Sequence, residues 1–134
     1  MGNCNKANVA IVDDDASLCK AMSRLLAAAG IESATYASAE SFLDSRSGFE
    51  PDCLVLDIQL GGMSGFELRQ HLAAMGGTPS IVFVTAHDEP EIRQQAERCG
   101  CVAYLQKTDS GEAVIEAVRR AVASRSRKIS TAIQ

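Results

Sequence analysis

Three consecutive aspartates follow a short apolar run in the stretch IVDDDAS, residues 11–17. Like charges this close repel: a pair about 4 Å apart costs about 4 kcal/mol at an effective dielectric constant near 20. Two interpretations are open, a solvated turn with a helix cap or a site for a hard cation, which prefers carboxylate ligands. Asp15 directly precedes a helical pattern, so a capping role is favoured for that residue.

Three further polar residues stand at the ends of other apolar runs. They are Asp57 after LVL, Thr85 after IVFV and Lys107 after AYLQ. Singly, each has an ordinary interpretation as a loop or capping residue, a strand end or a solvated lysine. Together they carry the groups of phosphoryl transfer, because a carboxylate can attack phosphorus while an ammonium and a hydroxyl stabilise the transferring oxygens.

The elements that must position these residues alternate along the chain. Short apolar runs predict strands at 9–12, 31–36, 51–57, 79–85 and 102–106, and helical spacing of apolar residues lies between and after them. This order predicts a single α/β domain, a doubly wound five-stranded parallel sheet with five helices. Ligands bind such sheets at the carboxyl ends of the strands, so the polar residues are expected to meet at one edge.

Composition excludes several other classes of protein. The 134 residues suggest one domain, and the net charge of −4 argues against direct nucleic-acid binding by its body. No apolar run is long enough for a membrane span, and the polar start MGNCNKAN does not resemble a signal peptide. Five cysteines without paired spacing fit a reducing cytoplasm rather than a disulfide framework.

Four stretches, in this order, resemble the receiver domain of two-component response regulators, which has a flavodoxin-like fold. They are IVDDDAS, LVLDIQLGGMSGFEL, IVFVTAHDE and AYLQK. Among receivers, the sequence is most similar to the branch with a C-terminal helix-turn-helix output. The resemblance divides the chain into a disordered N-terminus at 1–7, a receiver domain at 8–123 and a linker or tail at 124–134.

This resemblance implies a role for each polar residue. Asp57 would be the phosphoacceptor, and a histidine kinase would be the phosphoryl donor. The implied Mg²⁺ ligands are Asp13, Asp14, Asp57 and the backbone carbonyl of Gln59. The implied phosphoryl-binding and switch residues are Thr85, Ala86, Tyr104 and Lys107. His87 either tunes hydrolysis or is an exposed loop histidine, and the two are weighed equally.

The implied function is a phosphorylation-controlled signalling switch, not an enzyme beyond its own phosphorylation and dephosphorylation. Phosphorylation would change the surface of the fourth helix, fifth strand and fifth helix. The implied partners are the kinase, a C-terminal DNA-binding output domain outside this chain, and a second copy after phosphorylation. The residues after 123 fit either a stand-alone receiver or a piece of a longer regulator.

The sequence departs from the family pattern at two positions. Thr108 stands where a proline, often preceded by a cis peptide, commonly follows the lysine, which puts the reach of Lys107 in question. Gly61 replaces a common proline and predicts a more flexible loop after Asp57.

A degenerate receiver that binds a partner without phosphorylation is the alternative to the phosphorylation-controlled switch. An aspartyl-phosphate hydrolase would carry a second aspartate where Gln59 stands, and no nucleotide-binding glycine motif is present.

Overall fold

A computed structural model describes residues 8–45, 51–76, 79–86 and 88–133, with side chains up to residue 124. Its elements in chain order are β1 (Asn8–Val12), α1 (Ala16–Ala28), β2 (Glu32–Tyr36), α2 (Ala39–Ser45), β3 (Cys53–Asp57), α3 (Gly65–Ala74), β4 (Ser80–Thr85), α4 (Pro90–Arg98), β5 (Ala103–Gln106) and α5 (Gly111–Ile133). The expected disordered segment 1–7 lies outside the described residues. The alternation of strand and helix predicted from the sequence is confirmed.

The five strands form one parallel sheet in the order β2-β1-β3-β4-β5. Alternate residues of the central strands point to opposite faces, so the sheet carries two apolar clusters. On one face Val9 and Ile11 pack with α1 and α5. On the other face Ala10 and Val12 pack with α2, α3 and α4. The predicted doubly wound architecture is therefore confirmed, and β1 and β3 lie side by side in its centre.

Asp15 and Gly30 mark the two ends of α1. The carboxylate of Asp15 accepts a hydrogen bond from the Leu18 N–H at 3.2 Å, which confirms its capping role. Gly30 ends the helix with φ +81°, and the Ile31 N–H donates back to the Leu26 carbonyl at 2.8 Å. Because Ile31 completes this helix-ending motif, β2 begins one residue later than predicted, at Glu32.

The last helix continues through residues expected to form a linker or tail. Its backbone is helical to Ile133, and the stretch RSRKISTAI contains no proline or glycine that would end a helix. A helical conformation is compatible with a linker, and the boundary at 123 stays a prediction. In the described part of the chain, no helix is long and apolar enough to cross a membrane.

Candidate functional site

The sheet brings the predicted polar residues to the carboxyl edge of four strands. Asp13 follows β1, Asp57 ends β3, Thr85 ends β4 and Lys107 follows β5. The side chains of Asp13 and Asp57 are each 3% exposed, and Thr85 is fully buried. Burial of two carboxylates at one edge is costly unless cations or hydrogen-bond donors compensate them.

Lys107 supplies a compensating charge to both buried carboxylates. Its Nζ atom lies 3.1 Å from Asp13 Oδ2 and 3.1 Å from Asp57 Oδ2. The Gln59 N–H donates to the other oxygen of Asp57 at 3.1 Å. Asp57 therefore has one oxygen beside a cation and one beside a backbone donor.

A tight turn after β5 places Lys107 although Thr108 replaces proline. The Lys107 N–H donates to the Thr85 carbonyl at 2.9 Å. Gln106 and Asp109 close the turn reciprocally: the Gln106 N–H donates to Asp109 Oδ2 at 2.9 Å, and the Asp109 N–H donates to the Gln106 carbonyl at 3.0 Å. The described residues contain no cis peptide bond. The reach of Lys107 therefore does not depend on a proline at 108.

The surroundings of Asp57 and Lys107 shift the pKa of both groups. Burial raises the pKa of Asp57, the negative charge of Asp13 raises it further, and the hydrogen bond from Lys107 offsets part of the rise. Burial alone would lower the pKa of Lys107, but its hydrogen bonds to Asp13 and Asp57 outweigh that effect and raise it. Lys107 therefore stays charged at neutral pH.

Asp14 completes an oxygen cluster with the two buried aspartates. One carboxylate oxygen from each of Asp13, Asp14 and Asp57 lies within 4.8 Å of the others. Asp14 is exposed, so the cluster opens to solvent. Three carboxylates, one of them exposed, form a donor set that suits Mg²⁺, which retains several water ligands in proteins. The cation-site interpretation of IVDDDAS thus fits for Asp13 and Asp14, while Asp15 is the helix cap.

The loop between β3 and α3 is fastened at two points. The Met63 N–H donates to Glu40 Oε2 of α2 at 3.1 Å. Ser64 caps α3, and Glu67 reaches back to the Ser64 N–H at 2.8 Å in a capping box. The greater flexibility expected from Gly61, like the metal-ligand role of the Gln59 carbonyl, stays a prediction.

Gly65 lets α3 approach the phosphoacceptor candidate closely. A Cβ atom at this position would lie 2.5 Å from the Asp57 carbonyl oxygen and 2.9 Å from the Ile58 Cα atom. The sequence analysis noted Gly61 of this loop but did not find the close approach at Gly65 or the contact made by Glu40. The Ser-x-x-Glu spacing of Ser64 and Glu67 is a local signal for the capping box, but it does not predict either of these two contacts.

The remaining predicted residues lie around the β4–α4 loop. Ala86 follows Thr85 and is exposed, while His87 lies outside the described residues. Tyr104 is partly buried, and its hydroxyl donates to Asp88 Oδ1 at 3.3 Å. Sequence reasoning assigned no role to Asp88. No spacing pattern could have singled it out, because the contact joins residues sixteen positions apart.

Comparisons with known proteins identify the family of this chain. Residues 9–119 match the response regulator receiver domain. The chain is 32% identical over 119 residues to the transcriptional regulatory protein TdiR of Thauera aromatica, covering 89% of this chain and 52% of that protein. It is 31% identical over 111 residues to the transcriptional regulatory protein FixJ of Azorhizobium caulinodans, covering 83% of this chain and 53% of that protein. The chain thus spans about half the length of these curated relatives.

A solved structure supports the same assignment. The response regulator receiver protein from Burkholderia phymatum is 39% identical, and the comparison covers 88% of this chain and 96% of that chain with a TM-score of 0.78. The family match spans most of the described sheet and includes Asp13, Asp57, Thr85 and Lys107. The chain therefore belongs to the response regulator receiver domain family.

Proposed function

We propose that this domain is a signalling switch in which Asp57 accepts a phosphoryl group from a histidine kinase. The observation that carries the proposal is the surroundings of Asp57: a buried carboxylate with Lys107 at 3.1 Å, next to an open cluster of three carboxylates. Family membership supports a regulatory role rather than that of an enzyme acting on external substrates.

The transfer chemistry follows from the groups at the sheet edge. An Asp57 oxygen attacks phosphorus, the bond from phosphorus to the donor's histidine nitrogen breaks, and that nitrogen keeps the electron pair. Lys107 and the Thr85 hydroxyl would then face the new phosphoryl oxygens. Burial supports the attack, because a carboxylate that has lost much of its water shell is easier to bring against phosphorus.

The acidic cluster is proposed to hold Mg²⁺ through Asp13, Asp14 and Asp57, with the Gln59 backbone carbonyl as a further ligand. The donor set is of the all-oxygen type that this ion prefers. When bound, the ion supplies positive charge that neutralises carboxylate and phosphoryl oxygens. Asp13 is held in place for this role because its Oδ1 accepts the Asp15 N–H at 2.8 Å.

The switch is proposed to pass from Thr85 and Ala86 to β5 and its flanking helices. Thr85 is in register with Gln106, and the Thr85 carbonyl accepts the Lys107 N–H. Tyr104 lies two residues before Gln106 on the same strand, and it is proposed to move inward from the surface together with Thr85. A rearrangement of Thr85 toward the phosphoryl group would therefore act on β5 directly, and a local change of charge would bias a two-state element.

The output is proposed to be a DNA-binding domain that follows this domain in a longer regulator. Two relatives are named as transcriptional regulatory proteins, and this chain matches about half of each. The long helix α5 would connect the α4–β5–α5 surface to such a domain. A second copy of the domain on the same surface is the further proposed partner.

Intact mass tests the phosphoacceptor. The protein is incubated with a small phosphodonor and Mg²⁺, beside Asp57→Asn and a matched control, Asp52→Asn. Asp52 precedes the same strand, but its carboxylate accepts the Asn8 N–H at the far end of β3. One phosphoryl adduct in the wild type and in Asp52→Asn, and none in Asp57→Asn, is expected. A folded wild-type protein without an adduct would favour the degenerate receiver instead.

A further inference from the structure

A single carboxylate in the β4–α4 loop collects donors from two other elements. Asp88 Oδ1 accepts Arg93 Nε at 3.2 Å and the Tyr104 hydroxyl at 3.3 Å. Asp88 Oδ2 accepts Arg93 Nη2 at 2.6 Å and Gln106 Nε2 at 2.9 Å. A carboxylate offers about four lone-pair positions, so these four bonds use its full capacity.

Arg93 of α4 contacts both Asp88 and Tyr104. Its fork donates to the two oxygens of Asp88, the arrangement that gives guanidinium–carboxylate pairs their directionality. Its guanidinium carbon also lies 5.1 Å from the centroid of the Tyr104 ring, within cation–π range. Tyr104 is therefore held twice, by Asp88 at its hydroxyl and by Arg93 over its ring.

The cluster joins the same elements that the switch would move. Tyr104 and Gln106 are two residues apart on β5, so both side chains leave the same face of the sheet. Gln106 is in register with Thr85, and Asp88 comes three residues after Thr85. Any movement of Tyr104 away from the surface has to break its bond to Asp88 and its contact with Arg93.

We infer that Asp88 is a positioning residue that holds Tyr104 at the surface and so favours the unphosphorylated conformation. This inference rests on the proposed function, in which Tyr104 moves inward when Asp57 carries a phosphoryl group. Linkage then fixes the direction of the effect. Loosening the surface position of Tyr104 enlarges the competent population and strengthens binding of a phosphoryl mimic.

Tyrosine titration tests the contact without any phosphorylation. The chain has two tyrosines and no tryptophan, so Tyr36→Phe leaves Tyr104 as the sole tyrosine. The Tyr36 ring packs edge-on against Phe42, a contact that phenylalanine retains. Burial, together with the charge and hydrogen bond of Asp88, raises the pKa of Tyr104. Adding Asp88→Asn is expected to lower the pKa of Tyr104.

A neighbouring carboxylate provides the matched control for this titration. Glu89→Gln removes the same charge one residue away, at the N-cap of α4, where Glu89 makes no capping hydrogen bond. It is expected to change the pKa of Tyr104 much less than Asp88→Asn does. Equal shifts in the two variants would overturn the specific contact between Asp88 and Tyr104.

Binding of beryllofluoride with Mg²⁺ tests the effect on the switch. Asp88→Asn is expected to bind this phosphoryl mimic about three- to tenfold more tightly than the wild type, the range that loss of about one hydrogen bond gives. Arg93→Lys keeps the charge but loses the fork, so it is expected to shift the affinity in the same direction. Glu89→Gln is expected to match the wild type.

The outcomes separate this inference from the proposed function. Unchanged or weaker binding by both Asp88→Asn and Arg93→Lys, while the wild type binds, would overturn the role of Asp88 alone. No binding by the folded wild type would overturn the proposed switch and, with it, the role of Asp88 in phosphorylation. In that case the titration still decides whether Asp88 holds Tyr104. Since Arg93 lies at the surface of α4, Arg93→Lys also decides the question if Asp88→Asn does not fold.

Discussion

At the scale of single residues, the site places two buried carboxylates beside one lysine. Asp13 and Asp57 share the ammonium group of Lys107, and the charge of Asp13 adds to the burial of Asp57. One positive charge does not fully compensate two negative ones. The arrangement therefore holds excess negative charge, which makes the site receptive to a cation.

Asp57→Asn is expected to raise the free energy of unfolding at pH 7, without divalent cations, because it removes a negative charge whose burial the fold disfavours. The folded-state pKa of Asp57 lies above its ordinary value of 3.8. The protonated carboxyl thus stabilises the fold fully below pH 3.8, and this contribution is lost as pH rises through the folded pKa. The gain from Asp57→Asn should shrink as the pH is lowered toward 4.

Urea unfolding at pH 7 and pH 4, with Asp52→Asn as the control, measures this difference. A lower unfolding free energy for Asp57→Asn at pH 7 would show that Lys107 more than compensates the buried charge. That result would contradict the direction assigned to the pKa of Asp57.

Asp14→Asn is expected to weaken Mg²⁺ binding about tenfold or more, because the ion loses a charged ligand. Asp14 is exposed, so stability without metal should change by less than about 0.5 kcal/mol. Asp15→Asn is the matched control: it removes the same charge one residue on, and asparagine caps helices as well as aspartate does. Calorimetric titration with MgCl₂ measures the Mg²⁺ affinity of both variants. Equal losses of affinity in Asp14→Asn and Asp15→Asn would count against a specific site.

At the scale of elements, the position of Asp57 depends on how closely α3 packs against the end of β3. Gly65→Ala is expected to lower the free energy of unfolding by about 2 to 3 kcal/mol, because the new Cβ would overlap backbone atoms of Asp57 and Ile58. The rate of phosphorylation should fall as well, since relief of the overlap displaces Asp57.

Gly61→Ala in the same loop provides the control for Gly65→Ala. A Cβ at Gly61 meets no atom within 4 Å, and its φ lies outside the left-handed region. The unfolding free energy of this variant should stay near the wild-type value. Equal stability of the two alanine variants would contradict the close packing of α3 on Asp57.

The elements themselves were predictable because their signals are local. Apolar runs located the five strands, Asp15 marked the start of α1, and the strand ends located Asp57, Thr85 and Lys107. Contacts between distant segments were not predictable. Three such contacts depend on how the elements pack against one another, which no periodicity in the sequence encodes. They are the hydrogen bond from Met63 to Glu40, the close approach of Gly65 to Asp57, and the hydrogen bond from Tyr104 to Asp88. The expectation of a linker or tail after residue 123 did not specify its conformation, and the backbone of α5 is helical to Ile133.

At the scale of the whole molecule, the α4–β5–α5 surface is where a signal from Asp57 would leave the domain. Phosphorylation is expected to promote self-association through this surface. Sedimentation velocity with and without phosphodonor measures it, and Asp57→Asn, which should stay monomeric, is the control. If the wild type is a monomer both with and without phosphodonor, the proposed dimer is wrong, whereas the proposed phosphorylation of Asp57 is not contradicted.

The central claim is that a phosphoryl group on Asp57 changes a surface some distance from it. Amide chemical shifts of uniformly ¹⁵N-labelled protein, recorded with Mg²⁺ before and after addition of a small phosphodonor, test this most directly. Shifts that extend from the loops around Asp13, Asp57 and Lys107 into α4, β5 and α5, and that are absent in Asp57→Asn, are predicted. Shifts confined to the loops around Asp57, with α4, β5 and α5 unchanged, would contradict the switch.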